Sequence, residues 1–120
     1  MFSFMNDYGE KRDLALLRAA MLIIEANPNP VQYVKIAQDS FIRTLSGGLG
    51  RSNPLFVKKA EAMSFLEMSS TLRKCSNSGK RSIAETLSAA FAATGKSQES
   101  MELLLEIVVE CDIPRNYLSL

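Results

Sequence analysis

The stretch YGEKRDLALLRAAMLIIEA, residues 8–26, decides the fold class of this chain. It is rich in Leu, Ala and Met, which are good helix formers. Its apolar residues recur at helical spacing along one stripe, and further apolar residues widen that stripe. The stripe contains Leu14, Leu17, Met21 and Ile24, and the residues beside it are Leu16, Ala20 and Ile23. We therefore predict a central helix over 8–26, with neighbouring elements packed on more than one side.

Four further segments show helical periodicity and are separated by turn residues. Asn-Pro pairs at 29–30 and 53–54 precede two of them, with asparagine as the expected N-cap and proline in the first turn. Ser82 and Glu85 have the spacing of a capping box, and Ser97 is the expected cap of the last helix. The predicted helices span 30–46, 54–74, 82–94 and 97–111, and residues 113–120 form a tail.

Length and composition predict one all-α domain. A chain of 120 residues falls within the usual size of a single domain. Its 47% apolar and 22% charged residues are close to globular averages, which excludes a disordered or low-complexity chain. The connections between the predicted helices are short, as in helical bundles. We therefore predict a single compact bundle of about five helices.

The two glycine-containing segments 46–50 and 76–79 are predicted to be flexible turns. The first segment, SGGLG, superficially resembles a phosphate-binding loop. Neither segment is followed by the complete Gly-Lys-Ser/Thr signature or preceded by a strand, so neither predicts a nucleotide site. Gly95 stands where a C′ glycine is expected after the helix over 82–94.

The residue types exclude several classes of catalytic site. The sequence contains no histidine, so this chain has no Ser-His or Cys-His pair and no His-ligated zinc site. It also lacks a Cys-x-x-Cys pair, a calcium-binding loop and a dinucleotide fingerprint. We predict a non-enzymatic protein with no cofactor and no metal. An enzyme built on carboxylates or on a single cysteine is a weaker alternative.

Cysteine content and hydropathy predict a cytoplasmic protein. Cys75 and Cys111 are too few for a disulfide scaffold, and residues 1–7 do not have the pattern of a secretory signal. The longest apolar stretch, 14–24, contains Arg18 and is shorter than the roughly 20 residues of a membrane span. We expect both thiols to be free and to act as small apolar side chains.

Charge is strongly segregated along the chain although the net charge is only +1. Residues 1–42 contain four basic and five acidic residues, residues 43–81 contain eight and two, and residues 82–120 contain two and six. A nearly neutral chain therefore has a basic middle and an acidic end, a pattern that indicates charged partners.

The acidic end is regularly spaced. Glu99, Glu102, Glu106 and Glu110 follow one another at intervals of 3, 4 and 4, so they fall on one face of the last helix. Three interpretations are open: a solvated face, a docking surface for a basic partner, or a surface that meets the basic segment of this chain or of a second copy. The docking surface is our preferred hypothesis for the binding site.

The basic middle predicts an alternative site. Arg73 and Lys74 lie before the 76–79 segment, and Lys80 and Arg81 lie after it, so four cations gather near one turn. Such a cluster is suited to phosphate binding, but aromatic residues for base stacking are absent between these cations. Lys and Arg are also favoured near helix C-termini, which explains the first two without a ligand.

Together these patterns favour a protein-binding module, such as a small regulator, adaptor, chaperone or inhibitor. The alternative is a nucleic-acid-binding regulator that uses the basic segment 43–81. The wide apolar circumference of the first helix also suggests a homodimer, the commonest oligomer, as a hypothesis.

Overall fold

The computed structural model of the chain describes residues 2–51 and 53–120, with side chains described from Gly9 onward except at 52. Within these residues it contains six α-helices, one 3₁₀ turn and no strand. The helices are α1 (Phe2–Glu25), α2 (Gln32–Gly48), α3 (Pro54–Ala62), α4 (Phe65–Arg73), α5 (Asn77–Ala93) and α6 (Gln98–Glu110), followed by the 3₁₀ turn Arg115–Tyr117. The all-α prediction is confirmed, with six helices in place of about five. The radius of gyration, 13.6 Å, is that of a compact chain of this length.

Helix α1 is the centre of the bundle, as its sequence predicts. It packs against each of the helices α2 to α6. Ala15, Ala19 and Ala20 are fully buried, and their small side chains let neighbouring helices approach closely. Leu17 and Ile23 are also fully buried. This chain's own helices therefore bury most of the apolar surface between residues 14 and 24, where four apolar residues are half-buried, and the argument for a homodimer from that circumference is weakened.

Helix α2 begins and ends two residues later than predicted. Its N-cap is Val31, which provides no side-chain cap, so the prediction that Asn29 caps this helix is wrong. Asn27 instead organises the α1–α2 turn: its Nδ2 donates to the carbonyl of Thr94 at 2.8 Å, and its Oδ1 accepts from the amide of Asn29. At the other end the helix continues through 47–48, although a turn is predicted there.

The predicted helix over 54–74 is two helices. Asn53 caps α3 as expected, accepting from the amide of Leu55 at 2.9 Å. The chain then leaves the helical conformation at Met63, whose side chain is buried, and Ser64 caps α4 by accepting from the amide of Glu67. Ser64 and Glu67 have capping-box spacing, but the apolar pattern continues across the junction and conceals the break.

Helix α5 begins five residues before the predicted start. Ser76 is its N-cap and accepts from the amide of Gly79 at 3.2 Å, whereas Ser82 lies inside the helix. The prediction of a turn over 76–79 and a cap at Ser82 is therefore wrong. Downstream, Gly95 has a left-handed φ of +75°, and Ser97 caps α6, both as predicted.

We expect Ser76→Ala to lower the free energy of unfolding by about 0.5–2 kcal/mol, because it removes the side-chain acceptor at the start of α5. The matched control is Ser82→Ala, an exposed position within the helix, for which we expect a change below about 0.5 kcal/mol. Urea denaturation of the two variants measures both values. A larger loss at Ser82 would place the helix start where the capping box predicts it.

The C-terminal residues pack back onto α5. Ile113 is buried, and the amide of Ser119 donates to Oγ of Ser88 at 3.0 Å. The guanidinium of Arg81 lies 4.0 Å from the centre of the Tyr117 ring, within the range of a cation–π contact. This return of the chain brings the end of α6 next to the start of α5.

Candidate partner-binding surface

Helix α6 presents its four glutamates to solvent on the side opposite the core. Ser97 caps the start of the helix. The fully buried Ser100, whose hydroxyl donates to the carbonyl of Ile23 at 2.8 Å, fixes the orientation of the helix about its own axis. Leu104 and Val108 point into the core from the same helix. All four carboxylates are consequently exposed; we call Glu99, Glu102, Glu106 and Glu110 the acidic stripe.

The acidic stripe is not neutralised within the described part of the chain. None of its carboxylates forms an ion pair with a described cation, and the one side-chain contact is a 3.3 Å hydrogen bond from Nε2 of Gln98 to Glu102. Like charges at these spacings repel one another. The stripe therefore presents carboxylates without an ion-pair partner to solvent, and a cationic partner would relieve the repulsion.

Apolar side chains border the acidic stripe. Val109 is 73% exposed, and Leu103 and Leu105 are half-buried on either side of the carboxylates. The sequence analysis did not single out Val109, although its spacing of three positions from Glu106 puts this apolar residue on the same side of the helix as the glutamates. The surface thus combines charge that steers a partner with apolar area that a partner can bury.

The structure also gathers the four cations of the alternative site. Arg73 and Lys74 stand at the end of α4, and Lys80 and Arg81 lie in the first turns of α5. Three of them already have contacts inside the molecule. Lys80 is buried with its Nζ 3.8 Å from a carboxylate oxygen of Asp112, Arg81 stacks on an aromatic ring, and Arg73 donates to the carbonyl of Glu110 at 3.4 Å.

These contacts engage three of the four cations, although only Lys80 is paired with an opposite charge and both arginines remain exposed. Lys80 and Arg81 hold the returning C-terminal segment against α5, and Arg73 holds the end of α6 against α4. Arg43 and Arg51, two further cations of the basic middle that flank the 46–50 segment, differ in the same respect. Arg51 lies 3.4 Å from a carboxylate oxygen of Asp13 and over the ring of Phe56, whereas Arg43 is exposed.

A cleft of about 590 Å³ lies between α1 and the α4–α5 connection. Arg12, Asp13, Lys74, Cys75 and Ser76 are among its lining residues. Ser76 already accepts the hydrogen bond of the first turn of α5. Cys75 lines this cleft together with Arg12 and Lys74. A thiol beside cations is the arrangement in which a reactive cysteine is expected.

The effect of burial on the pKa outweighs that of the nearby cations at both cysteines. Desolvation raises the pKa of Cys75 although Arg12 and Lys80 act to lower it. Desolvation is also the main cause that raises the pKa of the fully buried Cys111 to about 12, with smaller contributions from Cys75 and Glu110. Both thiols are unpaired and protonated at neutral pH, and a protonated thiol is a weak nucleophile.

We expect a thiol reagent to modify Cys75 well before Cys111 in the folded protein. Cys75 is half-buried, whereas Cys111 is fully buried. The modification of Cys111 therefore requires local opening of the structure. Time-resolved mass spectrometry after digestion gives the two rates, and both cysteines should react at similar rates in denaturant. Equal rates in the native protein would contradict the burial of Cys111.

The described residues contain no group of three or more His, Cys, Asp or Glu side chains placed to hold a metal ion. In the same part of the chain, none of the helices combines the length and apolar character that crossing a membrane requires. No protein-family model matches the sequence, and neither a curated protein nor a solved structure shows significant similarity to it. The functional argument therefore rests on the geometry of this chain alone.

Proposed function

We propose that this protein is a non-enzymatic protein-binding module of the cytoplasm, and that the acidic stripe of α6 is its docking surface. The observation that carries the proposal is the exposure of four regularly spaced carboxylates that no described cation neutralises. Regulators, adaptors, chaperones and inhibitors all act through surfaces of this kind. The two unpaired thiols are consistent with a reducing compartment.

The chemistry of the acidic stripe defines the partner. Carboxylates at helical spacing are matched by Lys or Arg residues on a complementary surface, and Val109 offers an apolar contact beside them. Such charges act mainly on the rate of association and on its salt dependence. We therefore propose a basic protein surface with apolar residues next to its cations.

Nucleic-acid binding through Arg73, Lys74, Lys80 and Arg81 is the competing proposal. The internal contacts of Arg73, Lys80 and Arg81 favour the acidic stripe over it. If phosphate binding were the function, retention on heparin would be strong and would fall steeply with salt. A protein that flows through heparin at low salt would exclude this alternative.

We expect the double reversal Glu102→Lys and Glu106→Lys to slow association with the partner about tenfold or more at low ionic strength. The difference from the unmodified protein should shrink at high salt, because exposed charges are screened. The partner is first captured from host extract on the immobilised protein and identified by mass spectrometry. Its association kinetics are then measured at several salt concentrations.

The matched control is the double reversal Glu25→Lys and Glu85→Lys, which changes the net charge equally at exposed positions outside α6. We expect this control to associate at nearly the unmodified rate. Equal slowing in both variants would mean that only net charge matters. Unchanged rate and salt slope in the α6 variant would reduce the acidic stripe to a solvated face.

A further inference from the structure

The outer face of α2 is exposed, partly apolar and free of charge. It consists of Tyr33, Ile36, Ala37, Ser40, Thr44, Gly47 and Gly48, all exposed; we call these residues the α2 face. Tyr33 is 77% exposed and Ile36 is 60% exposed, which are large values for side chains of this size. Helix α2 packs on α1 and α5 through its other side, and the residues that the structure describes leave the α2 face exposed.

Two positions on the α2 face are glycine although the described chain does not require glycine there. Gly47 and Gly48 are the last two residues of α2, and glycine favours the helical conformation less than alanine does. Neither has a left-handed φ, and a Cβ at either position would meet no atom within 4 Å. Glycine in such a position is typical of a site where another backbone or a large side chain approaches closely.

We infer that the α2 face binds the α2 face of a second copy of this chain, with the two helices antiparallel about a two-fold axis near Ser40. A two-fold interface uses the same surface on both partners, so that surface must complement itself. The α2 face does so in shape, and the charged residues along its border do so in charge. This inference does not depend on the acidic stripe, which lies on a different helix.

The shapes are complementary end to end. The bulky residues Tyr33 and Ile36 lie in the first half of α2, and the two glycines lie in its last turn. Antiparallel pairing about Ser40 sets Tyr33 of one copy against Gly47 of the other, and Ile36 against Thr44. Tyr33 therefore meets a glycine and Ile36 meets a side chain smaller than its own, and each contact occurs twice.

The charges beside the α2 face are also complementary. Asp39 and Arg43 both lie along one border of the face and are exposed. In the antiparallel pair these borders meet, so Arg43 of each copy reaches Asp39 of the other. Arg43 has no ion-pair partner among the described residues of its own chain, whereas Asp39 pairs with Lys35 at 3.5 Å. The dimer supplies the missing partner.

The size of the contact predicts a weak dimer. A 17-residue helix is about 25 Å long, and one pair of such helices buries an area at the low end of specific interfaces. The dissociation constant of the dimer should therefore be micromolar or higher, and dimers should appear only at high protein concentration.

Sedimentation equilibrium between about 10 µM and about 1 mM protein tests the inference. We expect the unmodified chain to shift from monomer to dimer over this range. Ser40→Arg brings two like charges together at the two-fold axis and should weaken the dimer at least tenfold. The matched control Ser70→Arg, at an exposed serine of α4, should leave dimerisation unchanged. Circular dichroism checks that both variants keep the helical content of the unmodified chain.

A charge exchange tests the antiparallel pairing itself. Asp39→Arg alone and Arg43→Asp alone should each weaken the dimer, and the two changes combined should restore it. Gly47→Leu should raise monomer stability, because leucine favours the helix, and should abolish the dimer by filling the space for Tyr33. A purely monomeric chain at the highest concentration would overturn the inference. So would equal effects of Ser40→Arg and Ser70→Arg, or an exchange that fails to restore the dimer.

Discussion

Replacing Leu72 with alanine is expected to lower the free energy of unfolding by about 2–5 kcal/mol. Leu72 is fully buried on α4 and belongs to the main hydrophobic cluster, together with residues of α1, α5 and α6. Its loss removes apolar contacts and leaves a cavity that the surrounding helices fill only in part. Since small domains are stable by about 5–15 kcal/mol, this single change removes a large fraction of the total.

The control for this prediction lies on the same helix. Leu66 is 75% exposed, so Leu66→Ala removes the same atoms without opening a cavity. We expect its effect to stay below about 0.5 kcal/mol. Urea denaturation of both variants at one pH gives the comparison, and similar losses at the two positions would mean that α4 presents a different face to the core.

Raising the pH above 9 is expected to destabilise the protein through Cys111. Burial raises the pKa of this thiol from its ordinary value of 9.0 to about 12 in the folded chain. The unfolded chain therefore loses the thiol proton near pH 9 while the folded chain retains it. The stability that follows from this difference is fully present below pH 9 and is lost as the pH rises towards 12, about 3 kcal/mol of it by pH 11.

Comparison with Cys111→Ala isolates this effect from the other groups that titrate at high pH. The variant should be less stable than the unmodified protein at pH 8, because it loses packing in the core. Its disadvantage should shrink as the pH rises, since it has no thiol to ionise. Urea denaturation of both proteins at pH 8, 9, 10 and 11 measures the difference, and a constant difference across that range would contradict the raised pKa.

The helices were predictable wherever their determinants are local. The apolar period of residues 14–24 identifies the central helix, and the caps at Asn53 and Ser97 are read from residues that bond to amides two or three positions away. The start of α5 and the break between α3 and α4 were not predicted. At both places two local patterns compete, and packing decides between them: Met63 turns into the core, and Lys80 in the first turns of α5 is buried against the C-terminal segment.

The candidate binding surfaces also combine features that were predictable from the sequence with features that were not. Helical spacing alone puts the four glutamates on one face of α6, and the structure places that face outward. The spacing of the four cations around the α4–α5 turn was equally visible. The contacts that these cations make inside the molecule could not be predicted, because Arg73, Lys80 and Arg81 contact residues more than 30 positions away in the chain.

The sequence by itself determined the helical class of this protein, the central place of α1, and the segregation of its charge into a basic middle and an acidic end. These follow from composition and from the fixed geometry of the helix, which relates residues three and four apart. The tertiary structure alone decided which charges have no ion-pair partner among the described residues, where one predicted helix divides, and that the α2 face is exposed in the described part of the chain. Each of these depends on contacts between residues distant in the chain, and no local spacing encodes which helix face another helix will cover.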